Sequence, residues 1–547
     1  MAERFAMAAG HPLTLEAGTE VLAAGGTAVD AVVAGAFMAM VAEPVLAGLL
    51  GGGFLMRRTP EGRVRFLDMF VDTPGRARPA GEADLRAVTA DFGGVTQGFH
   101  IGAATIAVPG LAAGLVEAHQ ADGRLPFADL LQPAIRSARE GVRVSALQAR
   151  LGRIVAPIVS ATPDARALNC DAEGVPLGEG ALQRNPDFAD VLEVMGHEGV
   201  DFIRRGEVAD GLLALARDGG HLERADLARW RAVARAPLEV RRGDATIALN
   251  PPPALGGALT AFPLALLGPG TGPGTGPGTG PGPSEAEVMR AFARTVEARG
   301  ESGIDDDPAA GAAWLARPET VERFRSMAAV PAGRPVARRG TTHLSAIDAA
   351  GGAAALTLSN GEGCGLIVSG TGIMPNNMLG EEDLVPGLAQ DRPFDWAPAT
   401  RLASMMAPLV AARSDGAFWV LGSGGSNRIR TALAQVLLRL LDRGEAMEDA
   451  VTAPRIHVEG AGAAAVLDYE LPGLGREAEG ALLSAWADLK GSPAPERDDR
   501  EAWAALGARA WHAPSMFFGG VHGAMREARG GLRAAGDPRR AGVAQVG

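Results

Sequence analysis

Residues 338–359 constrain this chain more than any other stretch. Gly340 precedes Thr341-Thr342-His343-Leu344-Ser345-Ala346-Ile347-Asp348, a run with strand-forming character. The turn Ala349-Ala350-Gly351-Gly352 leads to a second run, Ala353 to Ser359. Together they predict a β-hairpin with one wet and one buried face. Gly340 has no Cβ, so its peptide can be approached closely. Attack by the Thr341 hydroxyl on the Gly340 carbonyl would cut the chain there. The new N-terminus would hold a hydroxyl nucleophile and an α-amine on one residue. The amine, with an unperturbed pKa of about 7.7–8.0, can serve as base for the hydroxyl. Thr-Thr is also what β propensity alone places in a strand, so the reading depends on what surrounds it.

The surroundings are ordered. Thr341-Thr342-His343-x-Ser345 is followed by a Gly-containing turn, a Thr/Ser-rich strand, a Gly-rich loop and Gly372-Ile373-Met374-Pro375-Asn376-Asn377. This order resembles the γ-glutamyltranspeptidase family of the N-terminal nucleophile hydrolases. Other segments resemble it too: Gly25-Gly26-Thr27-Ala28-Val29-Asp30-Ala31, Val108-Pro109-Gly110-Leu111-Ala112-Ala113-Gly114, Ala453-Pro454-Arg455-Ile456-His457 and Asp537-Pro538-Arg539. The likeness runs from about residue 10 to residue 542. It implies an α+β fold, a four-layer αββα sandwich. It also implies one intertwined domain built from two chains of one precursor, 1–340 and 341–547, which stay associated.

The resemblance assigns roles residue by residue. Thr341 matches the nucleophile, and Gly340-Thr341 is the processing site. Ser359 stands where the family has a threonine that hydrogen-bonds the nucleophile. Asn360 sits beside the family's substrate-binding asparagine, and Asn376-Asn377 match in type. The loop Gly424-Gly425-Ser426 would supply backbone N–H donors for the oxyanion, from Gly424 and Gly425 or from Gly425 and Ser426. His343, His457 and His522 are read as structural.

The substrate pocket departs from the family. In Asp68-Met69-Phe70-Val71-Asp72, Phe70 stands where an arginine grips the glutamate α-carboxylate. The family's Ser-Ser pair becomes Ser404-Met405, and the polar residue after Asn-Asn becomes Met378. Glu381, with Glu382 or Asp383 nearby, is the acidic candidate for the substrate amine, and Arg338 or Arg401 the candidate replacement arginine. The implied activity is that of an autoprocessed γ-glutamyltransferase or glutathione hydrolase, passing an acyl group to water or an amine. One alternative is an amidase or acylase with a different acyl group. Another, of a different class, is an unprocessed binding protein.

Composition bounds the remainder. The chain of 547 residues is 47% hydrophobic and 21% charged, as in globular proteins. A formal net charge of −12 argues against nucleic acid or a membrane surface as partner. The partners expected are a small-molecule amide and its acceptor. Cys170 and Cys364 make no disulfide framework, and no His/Asp/Glu spacing suggests a metal. The Gly-rich stretch at Leu49–Leu55 lacks a Walker lysine, so no cofactor is expected. No apolar leader follows Met1, which predicts a cytoplasmic protein as written, or an exported one if a leader is missing. Residues 268–283, a Gly-Pro-Gly-Thr repeat, cannot bury apolar surface and read as a disordered surface insertion. The segment 332–339 before the processing site reads as polar and mobile.

Overall fold

The hairpin anticipated around Thr341 lies at the centre of a sheet. The computed structural model describes residues 4–91, 96–270, 282–327, 340–381, 396–460 and 462–547. Most of the 268–283 repeat, all of 332–339 with Arg338, and both Glu382 and Asp383 lie outside the described residues. The chain divides into two compact units. Unit 1 comprises Met1–Arg235, Ala337–Leu402 and Val543–Gly547, and unit 2 comprises Ala236–Val336 and Ala403–Gly542. Each unit therefore draws on chain from both sides of Gly340.

Unit 1 holds a seven-stranded antiparallel sheet. Its strands are β1 (Ala6–Ala9), β2 (Gly52–Arg58), β3 (Val64–Met69), β4 (Val233–Arg235), β5 (Thr342–Ile347), β6 (Ala353–Ser359) and β7 (Val543–Val546). Their order across the sheet is β7-β1-β5-β6-β2-β3-β4. Alternation along the strands sorts the side chains onto two faces. Leu344, Ala346, Leu356, Leu358 and Leu55 share one face and one hydrophobic cluster with helix α2 (Ala28–Ala42). Gly35 of α2 admits this packing: a Cβ there would stand 2.5 Å from Leu344 Cδ2. The opposite face carries Thr341, His343, Ser345, Thr357, Phe54 and Phe66, all of them buried. The hairpin thus has no wet face, contrary to the sequence expectation. Its polar side chains satisfy one another instead: His343 Nδ1 lies 2.7 Å from Thr357 Oγ1, and Nε2 lies 2.9 Å from Ser345 Oγ.

The helical region anticipated within Leu13–Ala42 is two helices. Helix α1 (Pro12–Ala23) ends at Gly25, whose φ of 87° only glycine adopts readily. Thr27 and Asp30 then form a capping box that starts α2. Pro109 precedes the N-cap Gly110 of helix α3 (Leu111–Asp122), so it lies just outside the first turn where it was expected. Helix α4 (Phe127–Glu140) stops at Gly141 as the sequence indicates.

Unit 2 holds a six-stranded antiparallel sheet. In spatial order its strands are Leu532–Ala535, Gly520–Arg526, Phe418–Gly424, Leu409–Arg413, Ala245–Leu249 and Leu238–Arg242. The helix Arg428–Leu441 follows the Phe418 strand through a tight loop, as its sequence pattern requires. Among the described residues no helix is long and apolar enough to cross a membrane.

Candidate active site

Strand β5 starts at Thr342, so Thr341 sits at its mouth and Gly340 just before it. Register pairs Thr342 with Leu358, which puts Thr341 level with Ser359 on β6. Two hydroxyls converge on the Gly340 carbonyl. Thr341 Oγ1 donates to it at 2.8 Å and Ser359 Oγ at 2.6 Å. Ser359 Oγ in turn accepts the Gly361 N–H at 3.0 Å, which fixes its orientation. Both side chains are almost wholly buried. Ser359, expected from sequence to hydrogen-bond the nucleophile, has its hydroxyl on the Gly340 carbonyl beside that of Thr341.

The turn after Ser359 holds the other end of the same residue. Glu362 Oε1 accepts the Gly340 N–H at 2.8 Å. Glu362 is itself placed by Asn377, whose Oδ1 accepts the Glu362 N–H at 2.9 Å. The turn requires Gly361: its φ is 64°, and a Cβ would stand 2.1 Å from Asn377 Oδ1 and 2.7 Å from Glu381 Oε1. Sequence reasoning missed Glu362. The available signal was a carboxylate between two glycines, three residues after Ser359. It also missed Glu43, a buried carboxylate that accepts hydrogen bonds from Thr14 and from Thr342, next to the candidate nucleophile.

The asparagines divide by role. Asn376 Oδ1 accepts the N–H groups of Ala107 and Met378, and its Nδ2 donates to the carbonyls of Leu50 and Ala107. Its hydrogen-bonding capacity is fully used on main chain, so it ties loops together and has nothing left for a substrate. Asn377 joins Glu362 to the His100 carbonyl. Asn360 donates to the Met374 carbonyl and lines a cavity of about 60 Å³ with Gly48, Glu362 and Met374. Its buried Oδ1 has no hydrogen-bond partner in the protein, which leaves an acceptor for a molecule in that space. Met378 and Glu381 are both buried.

Phe70 lies on the same sheet row. Gly52 pairs with Ser359, and a Cβ on Gly52 would stand 2.6 Å from Phe70 Cδ2. The Phe70 ring therefore occupies the space next to the strand partner of Ser359, tilted by 33° against Phe54 at 5.3 Å between centroids. Arg401 lies close by, engaged on every side. It forms ion pairs with Asp68 and Asp72, donates to the carbonyls of Asp68 and Arg231, and covers the Trp230 ring. Burial raises the Asp72 carboxyl above its ordinary value even with Arg401 beside it.

The remaining candidates belong to unit 2. Ser404 offers its carbonyl to Leu255 and Gly256 and its hydroxyl to the Met406 N–H. Met405 packs in an apolar cluster with Leu255, Leu259 and Phe262. Gly424 closes its strand. Gly425 has a φ of 123° and Ser426 a φ of 55°, a left-handed conformation uncommon for a serine. The helix ladder begins beyond this turn, with Arg428 N–H donating to the Gly425 carbonyl. His457 contacts Thr431 and Glu459, and His522 accepts the Asp537 N–H. Burial lowers both imidazoles to about 4, so both are neutral structural rings. In unit 1, burial pushes the Cys364 thiol up to about 12, and Cys170 is only half-buried.

Comparison with known proteins accords with this geometry. Residues 14–547 match the family model for γ-glutamyltranspeptidase. The chain is 31% identical over 474 residues to the acylase ACY 1 proenzyme of Pseudomonas sp. strain SE83, covering 82% of each chain. It is 30% identical to the glutathione hydrolase proenzyme of Pseudomonas aeruginosa, over 83% of this chain and 82% of that one. The solved structure of cephalosporin acylase from Bacillus halodurans has the same fold, with a TM-score of 0.79 and 22% identity over 100% of this chain and 96% of that one. The fold is α+β, of the N-terminal nucleophile hydrolase type. On these grounds the chain belongs to the γ-glutamyltranspeptidase family and is an enzyme of the N-terminal nucleophile hydrolase class.

Proposed function

We propose that the chain cuts itself between Gly340 and Thr341 and then transfers acyl groups from amides through an ester on Thr341. The observation that carries this reading is the convergence of Thr341 Oγ1 and Ser359 Oγ on the Gly340 carbonyl. In the first step Oγ1 attacks that carbonyl carbon, the C–N bond to Thr341 breaks, and the hydroxyl proton ends on the departing amine. Water then hydrolyses the ester, leaving a Gly340 carboxylate and a free Thr341 with its α-amine. In turnover the α-amine takes the hydroxyl proton as Oγ1 attacks the carbonyl carbon of a substrate amide seated where Gly340 was, with Ser359 donating to its oxygen. The substrate C–N bond then breaks, its amine leaves with that proton, and the acyl group remains as an ester on Thr341. Water or an amine accepts the acyl group.

We further propose an acyl group without a free α-carboxylate, as an acylase would use, with γ-glutamyl amides as the second reading. Phe70 next to Gly52, and an Arg401 already paired to Asp68 and Asp72, favour the first. The relatives include both an acylase and a glutathione hydrolase. A charge-assisted hydrogen bond contributes about 1.5–3 kcal/mol, so its loss makes use of a free α-carboxylate roughly 10- to 100-fold weaker. Intact-mass analysis should find fragments 1–340 and 341–547 in the wild type and an uncut chain in Thr341→Ala. Cleavage at Gly340 in Thr341→Ala would show another nucleophile. The kcat/KM for an uncharged acyl anilide should exceed that for a γ-glutamyl anilide of similar length, and Phe70→Arg should narrow the difference. A wild type that prefers the γ-glutamyl compound by a hundredfold would restore the second reading.

A further inference from the structure

We propose that Glu362 is a positioning residue for the self-cleavage, acting on the residue whose carbonyl is attacked. The inference rests on the assignment of Thr341 as nucleophile. The peptide to be cut is gripped at both ends of Gly340 by one short turn. Ser359, at its start, donates to the Gly340 carbonyl oxygen, and Glu362, at its end, accepts the Gly340 N–H at 2.8 Å. Glycine has the widest conformational freedom of any residue, so an unrestrained Gly340 would spread its carbonyl over many orientations. Holding the N–H on one side of its Cα and the carbonyl oxygen on the other reduces that spread. The carbonyl carbon is then presented to Thr341 Oγ1, which already lies 2.8 Å from the carbonyl oxygen.

The grip is itself built to be rigid. Asn377 Oδ1 holds the Glu362 N–H, Ser359 Oγ holds the Gly361 N–H, and Asn377 Nδ2 is anchored on the His100 carbonyl. The turn passes through a glycine whose missing Cβ leaves room for Asn377 and Glu381. A Cβ on Gly340 would stand 2.8 Å from the Gly361 carbonyl oxygen and 2.9 Å from that of Val45, so only glycine fits between the turn and the loop facing it. The Gly340 N–H that Glu362 accepts is not itself a reacting atom. Glu362 acts through the orientation of Gly340, as a near-attack arrangement requires.

The test uses the full-length chain, purified quickly in the cold and followed by denaturing gel and intact mass. Glu362→Ala should slow cleavage by about 10- to 100-fold, the loss expected when reacting atoms are held less well. Glu362→Gln keeps an acceptor oxygen at the same reach and should cleave within about threefold of wild type, since a neutral acceptor still forms the hydrogen bond. Glu362→Asp keeps the charge on a shorter stem and should behave like Glu362→Ala, which also serves if the alanine variant is insoluble. The thermal unfolding midpoints of Thr341→Ala and Thr341→Ala/Glu362→Gln, both uncut, should agree. Wild-type cleavage in Glu362→Ala, or failure of Glu362→Gln to rescue it, would overturn the proposal. Cleavage in Thr341→Ala would instead overturn the nucleophile assignment, so the two failures are distinct.

Discussion

Removing the Ser359 hydroxyl tests the site where its geometry is tightest. Ser359 Oγ already donates to the Gly340 carbonyl at 2.6 Å in the uncut chain. Only the part of this bond that strengthens as the oxygen becomes an oxyanion can speed the reaction. A neutral hydrogen bond contributes about 1 kcal/mol and one to a charged group about 1.5–3, so the differential is roughly 0.5–2 kcal/mol. That corresponds to a loss of about 2- to 30-fold in Ser359→Ala, below the 10²–10³-fold typical of a donor aimed only at the intermediate. The variant also takes the acceptor from the Gly361 N–H, loosening the turn that positions Glu362. This second effect moves the expectation toward the upper end, about 10- to 30-fold. The assay is the first-order rate of conversion of full-length chain to fragments, beside wild type and Ser359→Thr. The threonine variant keeps the hydroxyl and should stay within about threefold of wild type. A Ser359→Ala rate within twofold of wild type would refute the reasoning, and so would Ser359→Thr as slow as Ser359→Ala.

Acid should destabilise the fold through its buried histidines. Burial lowers His11, His221, His457 and His522 to about 4, against an unfolded value near 6.5, so the unfolded chain binds protons first. Stability is then fully present above pH 6.5 and is lost as pH falls toward 4, by up to about 1.4 kcal/mol per pH unit for each imidazole. A thermal unfolding midpoint that stays level between pH 7 and pH 4.5 would refute this. The cut fragments should remain together under native conditions, because β5 and β6 lie between β1 and β2 and bury Leu344, Leu356 and Leu358 in a core shared with α2. Burial of those three leucines contributes roughly 5–9 kcal/mol, so separation of the fragments on native size exclusion would contradict the sheet order.

Much of this was legible in the sequence where the chain itself imposes a period or a break. The hairpin Thr342–Ser359, the strand–loop–helix from Phe418 to Leu441 and the glycine stop after Glu140 follow from local pattern alone. The burial of the hairpin's polar face was not legible. An alternation of His343, Ser345 and Thr357 with leucines reads as a wet face, and only the pairing of the imidazole with two hydroxyls shows how it is buried at no loss of hydrogen bonds. Asn376 and Asn377 illustrate the same limit. Their residue type suits a substrate, yet their bonds to Leu50, Ala107, His100 and Glu362 depend on chain many residues away. Glu362 was missed for a further reason. Its function lies in one hydrogen bond to a residue 22 positions earlier, and nothing in its neighbours marks that partner.

The proposed preference for an uncharged acyl group rests on the charge arrangement around Phe70. Asp68 and Asp72 are two negative charges, and Arg401 and Arg235 are the two positive charges paired with them. The set is balanced without a ligand. An incoming α-carboxylate would have to share Arg401 with two resident carboxylates, one of them already raised above its ordinary value by burial. Drawing Arg401 away would leave Asp68, itself almost fully buried, with Arg235 as its one ion-pair partner among the described residues, and an under-compensated buried charge is expensive. On the proposed reading, with Phe70 at the arginine position, Arg401 does not offset the change, because it is already paired with Asp68 and Asp72. On the same reading an apolar acyl group meets none of these costs and could pack against the Phe70 ring at Gly52, the strand partner of Ser359.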